Sequence, residues 1–190
     1  MIYADHAATT KISETAKLAM LSAMEKDWYN PSSLYTPGQQ ASGVLMDARV
    51  RISRCLGCLP KEIYFTSGGS EADNQAILSA AAIGKRQGKM HIISTAFEHH
   101  AVLHTLKKLE KEGFEITLLD VGEKGIVSPV QVAEAIRPDT ILVTVMYANN
   151  EIGTIQPIRE IGAVCRQNGV LFHTDAVQAA GHLPINVEED

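Results

Sequence analysis

Apolar positions along the chain change their spacing once, near Pro60. Before it, Ile12 to Lys26 and Gln39 to Leu56 carry apolar residues at helical intervals, and Asn30-Pro31-Ser32-Ser33 with Pro37-Gly38 reads as the irregular link between two helices. After it, short apolar runs at Ile63 to Thr66, His91 to Thr95, Ile116 to Val121, Ile141 to Met146 and Val170 to Phe172 predict strands. Helical spacing at Glu71 to Arg86, Ala101 to Lys111, Val130 to Ile136 and Ile158 to Gln167 separates them. Strands that are apolar throughout and alternate with helices imply crossover units and a mostly parallel sheet covered on both faces. The expected fold is α/β with three layers, divided into an N-terminal helical segment over residues 1–60 and a sheet domain over residues 61–190.

Composition agrees with a folded chain. Of 190 residues, 45% are hydrophobic and 21% charged, enough to bury a sizeable core. The net charge of −5, with acids and bases interspersed, argues against a nucleic-acid or anionic-membrane surface. Lys107 to Glu112 alternates in sign and reads as a solvated helix face. No stretch approaches the ~18 apolar residues of a membrane span, and Met1 to Thr10 lacks the basic-then-apolar order of a secretory signal, so a cytoplasmic protein is expected. Cys55, Cys58 and Cys165 do not form a disulfide framework; Cys55-Leu56-Gly57-Cys58 has CxxC spacing but closes a helical pattern and lacks the second pair that zinc requires.

Ligands of open α/β sheets gather where strands give way to helices. Four polar clusters occupy such places. Thr66-Ser67-Gly68-Gly69-Ser70-Glu71 offers glycines for close backbone approach and helix-start N–H groups with the Ser70 hydroxyl for a phosphate. The same residues also read as a plain helix start with Ser70 as N-cap and Asp73 closing a capping box. Glu98-His99-His100-Ala101 offers an imidazole that could stack on a planar ring or move protons, or be satisfied locally. His100 and His104 could share a helix face and bind a metal, but no third ligand matches, and no metal site is expected. Ala148-Asn149-Asn150-Glu151 supplies amides or simply a turn. Phe172-His173-Thr174-Asp175 ends an apolar run in an acid, and Gln178 lies one helical turn further on.

A phosphate cradle, an imidazole, an amide and an acid with an amide beside it suit a phosphorylated, hydroxylated pyridine. A carboxylate beside a ring nitrogen keeps that nitrogen protonated, and a protonated pyridine draws electrons from an attached amino acid. Asp175 would be the residue that makes the ring an electron sink.

With these residues in view, the chain resembles the cysteine desulfurases of the NifS and IscS type, within the class V aminotransferase group of fold-type I pyridoxal-phosphate enzymes. The resemblance is carried in order by Tyr3 to Thr10, Asn30 to Ser33, Thr66 to Asn74, Glu98 to Val102, Asn149 to Pro157 and Phe172 to His182. It implies that Gly69 and Ser70 hold the phosphate of pyridoxal 5'-phosphate, with Ser70 where the family often has Thr. It implies that His99 stacks on the ring and moves protons, that Asn150 and Gln178 contact the ring oxygen, that Asn150 lies near the substrate carboxylate, and that Asp175 pairs with the ring nitrogen. The implied reaction converts L-cysteine to L-alanine and an enzyme persulfide, passed to a sulfur-acceptor or scaffold protein for iron–sulfur or thiolated products, in a homodimeric enzyme. Two departures stand out. Tyr35 occupies a place where relatives commonly carry His, and no lysine here sits in the Ser-x-His-Lys motif that anchors the family's cofactor. The family's nucleophilic cysteine and substrate arginine also belong to later segments, so the chain is expected to be the front portion of a longer enzyme and inactive by itself. Alternatives are a selenocysteine lyase or another class V enzyme, a non-catalytic binding or scaffold fragment, and a histidine-based metal protein.

Overall fold

The computed structural model describes residues 2–190, which divide into two compact units. The first runs to Tyr64 and is joined by Asn186–Glu188; the second comprises Phe65–Ile185 and Glu189–Asp190.

In the first unit, helix α1 spans Glu14–Lys26 and helix α2 spans Thr36–Leu56, followed by a 3-10 turn at Pro60–Glu62. The Ser13 hydroxyl starts α1 by accepting from the Ala16 amide at 3.2 Å, satisfying one of the donors a helix start leaves open. Gly57, at φ 69°, ends α2 in the left-handed conformation that glycine adopts without steric cost. Gly38 explains the Pro-Gly pair: a Cβ there would lie 2.6 Å from Ser33 Cβ and 2.8 Å from the Asn30 carbonyl oxygen, so the Asn30–Ser33 turn packs directly on the first turn of α2. Tyr35 is the α2 N-cap by backbone only and its side chain makes no capping bond.

The second unit is the sheet domain. Helix α3 (Gly69–Gln87) leads to β1 (His91–Thr95), α4 (His100–Lys111), β2 (Glu115–Leu119), α5 (Pro129–Ala135), β3 (Thr140–Thr144), α6 (Ile158–Asn168) and β4 (Leu171–His173). All pairs are parallel, in the order β2-β1-β3-β4. Every residue of β1 and β3 is buried, as central strands covered on both sides require, whereas β2 and β4 form the edges. The pleat sends Ile92 and Leu142 into a cluster with Ile77, Val102, Leu106 and Leu109 of α3 and α4. Their neighbours Ile93 and Val143 join Val132, Ile158, Ile161 and Cys165 of α5 and α6 on the opposite face. Three layers result, as the pattern of runs predicts.

One predicted strand is absent. Ile63 to Thr66 forms no strand; Tyr64 is 77% exposed and Phe65 47%. An apolar run becomes a strand only where it has a partner to donate to and accept from, and among the described residues this segment pairs with none of the four strands.

Candidate cofactor site

The first turn of the site precedes α3. Its N-cap is Gly68, without a side-chain cap bond, so Ser70 is not the N-cap and the predicted capping box with Asp73 does not form. Glu71 closes the turn instead: its Oε2 accepts from the amide and the hydroxyl of Ser67, both at 2.6 Å, which lowers the Glu71 pKa. Asp73 is buried and points elsewhere, toward His173 Nε2 at 3.5 Å. Ser70 lies exposed in the first helical turn, where N–H groups have no intrahelical acceptor, and with Asn74, His99, His100 and Thr105 it lines a cavity of about 350 Å³.

The second turn follows β1. His99 is the N-cap of α4, and its Nδ1 accepts from the Ala101 amide at 3.1 Å. That bond commits Nδ1 as the acceptor and puts the neutral ring's proton on Nε2. Asn74 braces this turn against α3: it donates to the Ser70 carbonyl at 2.7 Å and accepts from the Thr105 hydroxyl at 2.6 Å.

The third turn follows β3. Asn149 is buried, donates to the Phe97 carbonyl at 3.1 Å, and accepts from the amides of Glu151 and Ile152 at 2.8 and 3.0 Å. It shapes the loop and leaves Asn150 half-buried beside it.

The fourth follows β4. The ladder continues past the strands, with Val145 donating to the His173 carbonyl at 3.1 Å and Tyr147 to the Asp175 carbonyl at 2.8 Å. Asp175 is buried at 7% exposure, and its Oδ1 accepts from the Val177 amide at 2.9 Å. Gln178 is half-buried and held by neighbouring groups.

These turns converge. A Cβ on Gly69 would stand 2.7 Å from Val177 Cγ2, so the glycine turn and the Asp175 loop touch, and a side chain there would have to push Val177 aside. Asp175 joins β3 through Tyr147, β3 joins the His99 turn through Asn149 and Phe97, and the His99 turn joins Ser70 through Asn74. Thr174 Oγ1 and Glu98 Oε2 are buried here without a hydrogen-bond partner among the described residues.

Of the remaining candidates, His100 and His104 line the same cavity as Ser70 and His99, and the cysteines do not. Cys55 and Cys58 belong to the first unit, on either side of the left-handed Gly57 that ends α2. Cys165 is buried in the core, and burial pushes its thiol up to about 12. His100 and His104 stack with ring centroids 5.5 Å apart, and no group of three metal-binding side chains occurs among the described residues.

Comparison with known proteins meets this geometry. The profile of the family described as aminotransferase class-V matches residues 2–189. The chain belongs to the class-V aminotransferases. It is 50% identical to the cysteine desulfurase IscS of Methanosarcina thermophila over 99% of this chain and 46% of that protein. It is 52% identical to the putative cysteine desulfurase IscS 1 of Bacillus subtilis strain 168, over 98% of this chain and 49% of that protein. Among solved structures, SspA in complex with cysteine superposes with a TM-score of 0.94 at 39% identity, covering 98% of this chain and 54% of that one. This class-V chain thus spans about half the length of the curated relatives it matches.

The class-V site contains residues that sequence reasoning passed over. Asn149 was overshadowed by its neighbour, since paired asparagines do not reveal which one turns inward. Asn74 and Thr105 look like ordinary polar helix positions, and their facing arrangement depends on how α3 packs on α4. Glu98 carries the clearest signal, an acid three residues past the wholly buried β1, and it is buried at 4% exposure. No described helix is long and apolar enough to cross a membrane.

Proposed function

We propose that the second unit binds pyridoxal 5'-phosphate at the carboxyl ends of β1, β3 and β4, and that the protein uses it as a cysteine desulfurase. The observation that carries the reading is the seating of Val177 on Gly69, which brings the Asp175 loop against the glycine turn. The residues suit the group: a turn at Gly69 where a Cβ would press on Val177, a hydroxyl at Thr174 unpartnered among the described residues, and a buried acid at Asp175.

Gly69 and Ser70 would hold the phosphate, through first-turn N–H groups and the Ser70 hydroxyl at the positive end of the α3 dipole. Asp175 would pair with the ring nitrogen and favour its protonated form. The cofactor supplies an electron-withdrawing ring on which an amino acid can lose its α proton. His99 presents Nε2–H for stacking and proton exchange, because Nδ1 is already occupied by Ala101. Asn150 and Gln178 would donate to the ring oxygen, and Asn150 would reach toward the substrate carboxylate. The identities to proteins named cysteine desulfurase and the SspA complex with cysteine support L-cysteine as substrate, with L-alanine and a persulfide as products. A cytoplasmic homodimer that hands sulfur to an acceptor for iron–sulfur or thiolated products is the setting that fits this reading.

The test is alanine and sulfide production from cysteine by the full-length protein, alongside cofactor absorbance. Turnover with cysteine but not selenocysteine supports the reading; preference for selenocysteine, or absence of bound cofactor, overturns it.

A further inference from the structure

Glu98 is the buried acid that the proposed reaction leaves unused. It sits where β1 turns toward α4, directly before His99. One carboxyl oxygen, Oε1, accepts from the Thr95 hydroxyl at 2.6 Å and from the Met146 amide at 3.0 Å. The first bond closes the turn locally, and the second crosses to the end of β3. The other oxygen, Oε2, is buried and meets no hydrogen-bond partner among the described residues. Two negative side chains bear on the carboxyl, Asp175 after β4 and Asp73 on α3, and His173 Nε2 of β4 lies 3.5 Å from Asp73.

An ionised Glu98 would leave a charged oxygen buried without a donor, which is costly. A proton on Oε2 removes that charge while Oε1 keeps both of its hydrogen bonds. Burial first, and the charges of Asp175 and Asp73 after it, raise the group to about 7 against the bonds from Thr95 and Met146. A neutral Glu98 spares the site a third negative charge beside Asp175 and Asp73.

We propose that Glu98 is a positioning residue of the cofactor site: its carboxyl ties the turn bearing His99 to the strand end leading to Asn149 and Asn150, without adding a further negative charge beside Asp175. The Asn149 bond to the Phe97 carbonyl is a second tie between the same two segments. The role in cofactor binding rests on the functional reading above; the tie itself does not.

The experiment uses the full-length protein with Glu98→Gln and Glu98→Ala. It measures three quantities: the infrared carbonyl band of a protonated carboxyl across pH, hydrogen exchange at the Met146 amide, and the dissociation constant for added pyridoxal 5'-phosphate. In the wild type the band should weaken as pH rises through neutrality, vanish in Glu98→Gln, and titrate at lower pH in Asp175→Asn, where one repelling charge is gone. Gln keeps a neutral accepting oxygen, so Glu98→Gln should stay within about threefold of wild-type affinity. Glu98→Ala leaves the Met146 amide unsatisfied and should speed its exchange and weaken cofactor binding by about tenfold or more, the scale of a lost buried hydrogen bond. No protonated-carboxyl band in the wild type below neutral pH, or an alanine variant with unchanged exchange and affinity, overturns the proposal. If the alanine variant does not fold, the band and its shift in Asp175→Asn decide. A wild type that shows the band and slow exchange but binds no cofactor removes the functional reading and leaves the tie supported.

Discussion

Asp175 is oriented before any ligand arrives, because its own carboxyl accepts from Val177 and its carbonyl from Tyr147. Asp175→Asn therefore keeps the shape of the loop and removes the charge. We expect pyridoxal 5'-phosphate affinity and kcat/KM for cysteine to fall about ten- to a hundredfold, the ~1.5–3 kcal/mol of a charged hydrogen bond, with an unchanged far-ultraviolet circular dichroism spectrum. Near wild-type activity with unchanged cofactor absorbance would remove Asp175 from the site. The cysteines should separate by exposure. Iodoacetamide at pH 8 should alkylate exposed Cys55 in the native protein and spare Cys165, whose thiol is buried and held protonated, and mass spectrometry of the digest checks this. Residue types were readable in the sequence where they contrast with their surroundings, as Asp175 and His99 do after apolar runs. Inward orientation was not: Ser70 with Asp73 reads as a cap on paper, whereas the helix starts from Gly68 and Glu71 pairs with Ser67.

At the level of elements, the start of α3 and the loop after β4 share one close contact. Gly69→Ala pushes a methyl into Val177, an overpacking that typically costs about 1–3 kcal/mol, and should weaken cofactor binding together with thermal stability. Adding Val177→Ala should restore much of both, so a double-mutant cycle with additive effects would show that the two residues do not press on each other. The six predicted helices all form, with ends shifted by three residues or fewer; α3 to α6 bury apolar residues set at helical spacing, whereas α1 buries none. Strands β1 to β4 were legible as apolar runs. Ile63 to Thr66 was misread because a short apolar run looks identical whether a partner strand lies beside it or not.

Across the whole sheet domain, His91 stitches three strands at the end opposite the site. Its ring nitrogens meet Thr140 Oγ1 of β3 at 2.7 Å and Thr117 Oγ1 of β2 at 2.8 Å, and it is fully buried. Burial chiefly, with Arg137 adding, lowers its pKa. The unfolded chain, titrating near ~6.5, then binds a proton that the folded chain resists, so this contribution to stability is complete above about pH 6.5 and shrinks as pH falls below it. The melting temperature should drop between pH 7 and pH 5, and His91→Gln should drop less over the same interval; parallel curves would refute a role for His91. The layered architecture was visible in the alternation of runs, yet the order β2-β1-β3-β4 was not, since nothing local tells β3 to pass β2 and settle beside β1.

That order has a kinetic side. The bond from Met146 to Glu98 joins residues 48 apart and the one from Asn149 to Phe97 residues 52 apart, whereas each helix closes its bonds within a few positions. Long loops lose more entropy on closing and mature later. A chain emerging from denaturant should regain its helical signal first and its capacity to capture pyridoxal 5'-phosphate in a slower phase, so a newly made molecule passes through a stage that is well coiled but blind to its ligand.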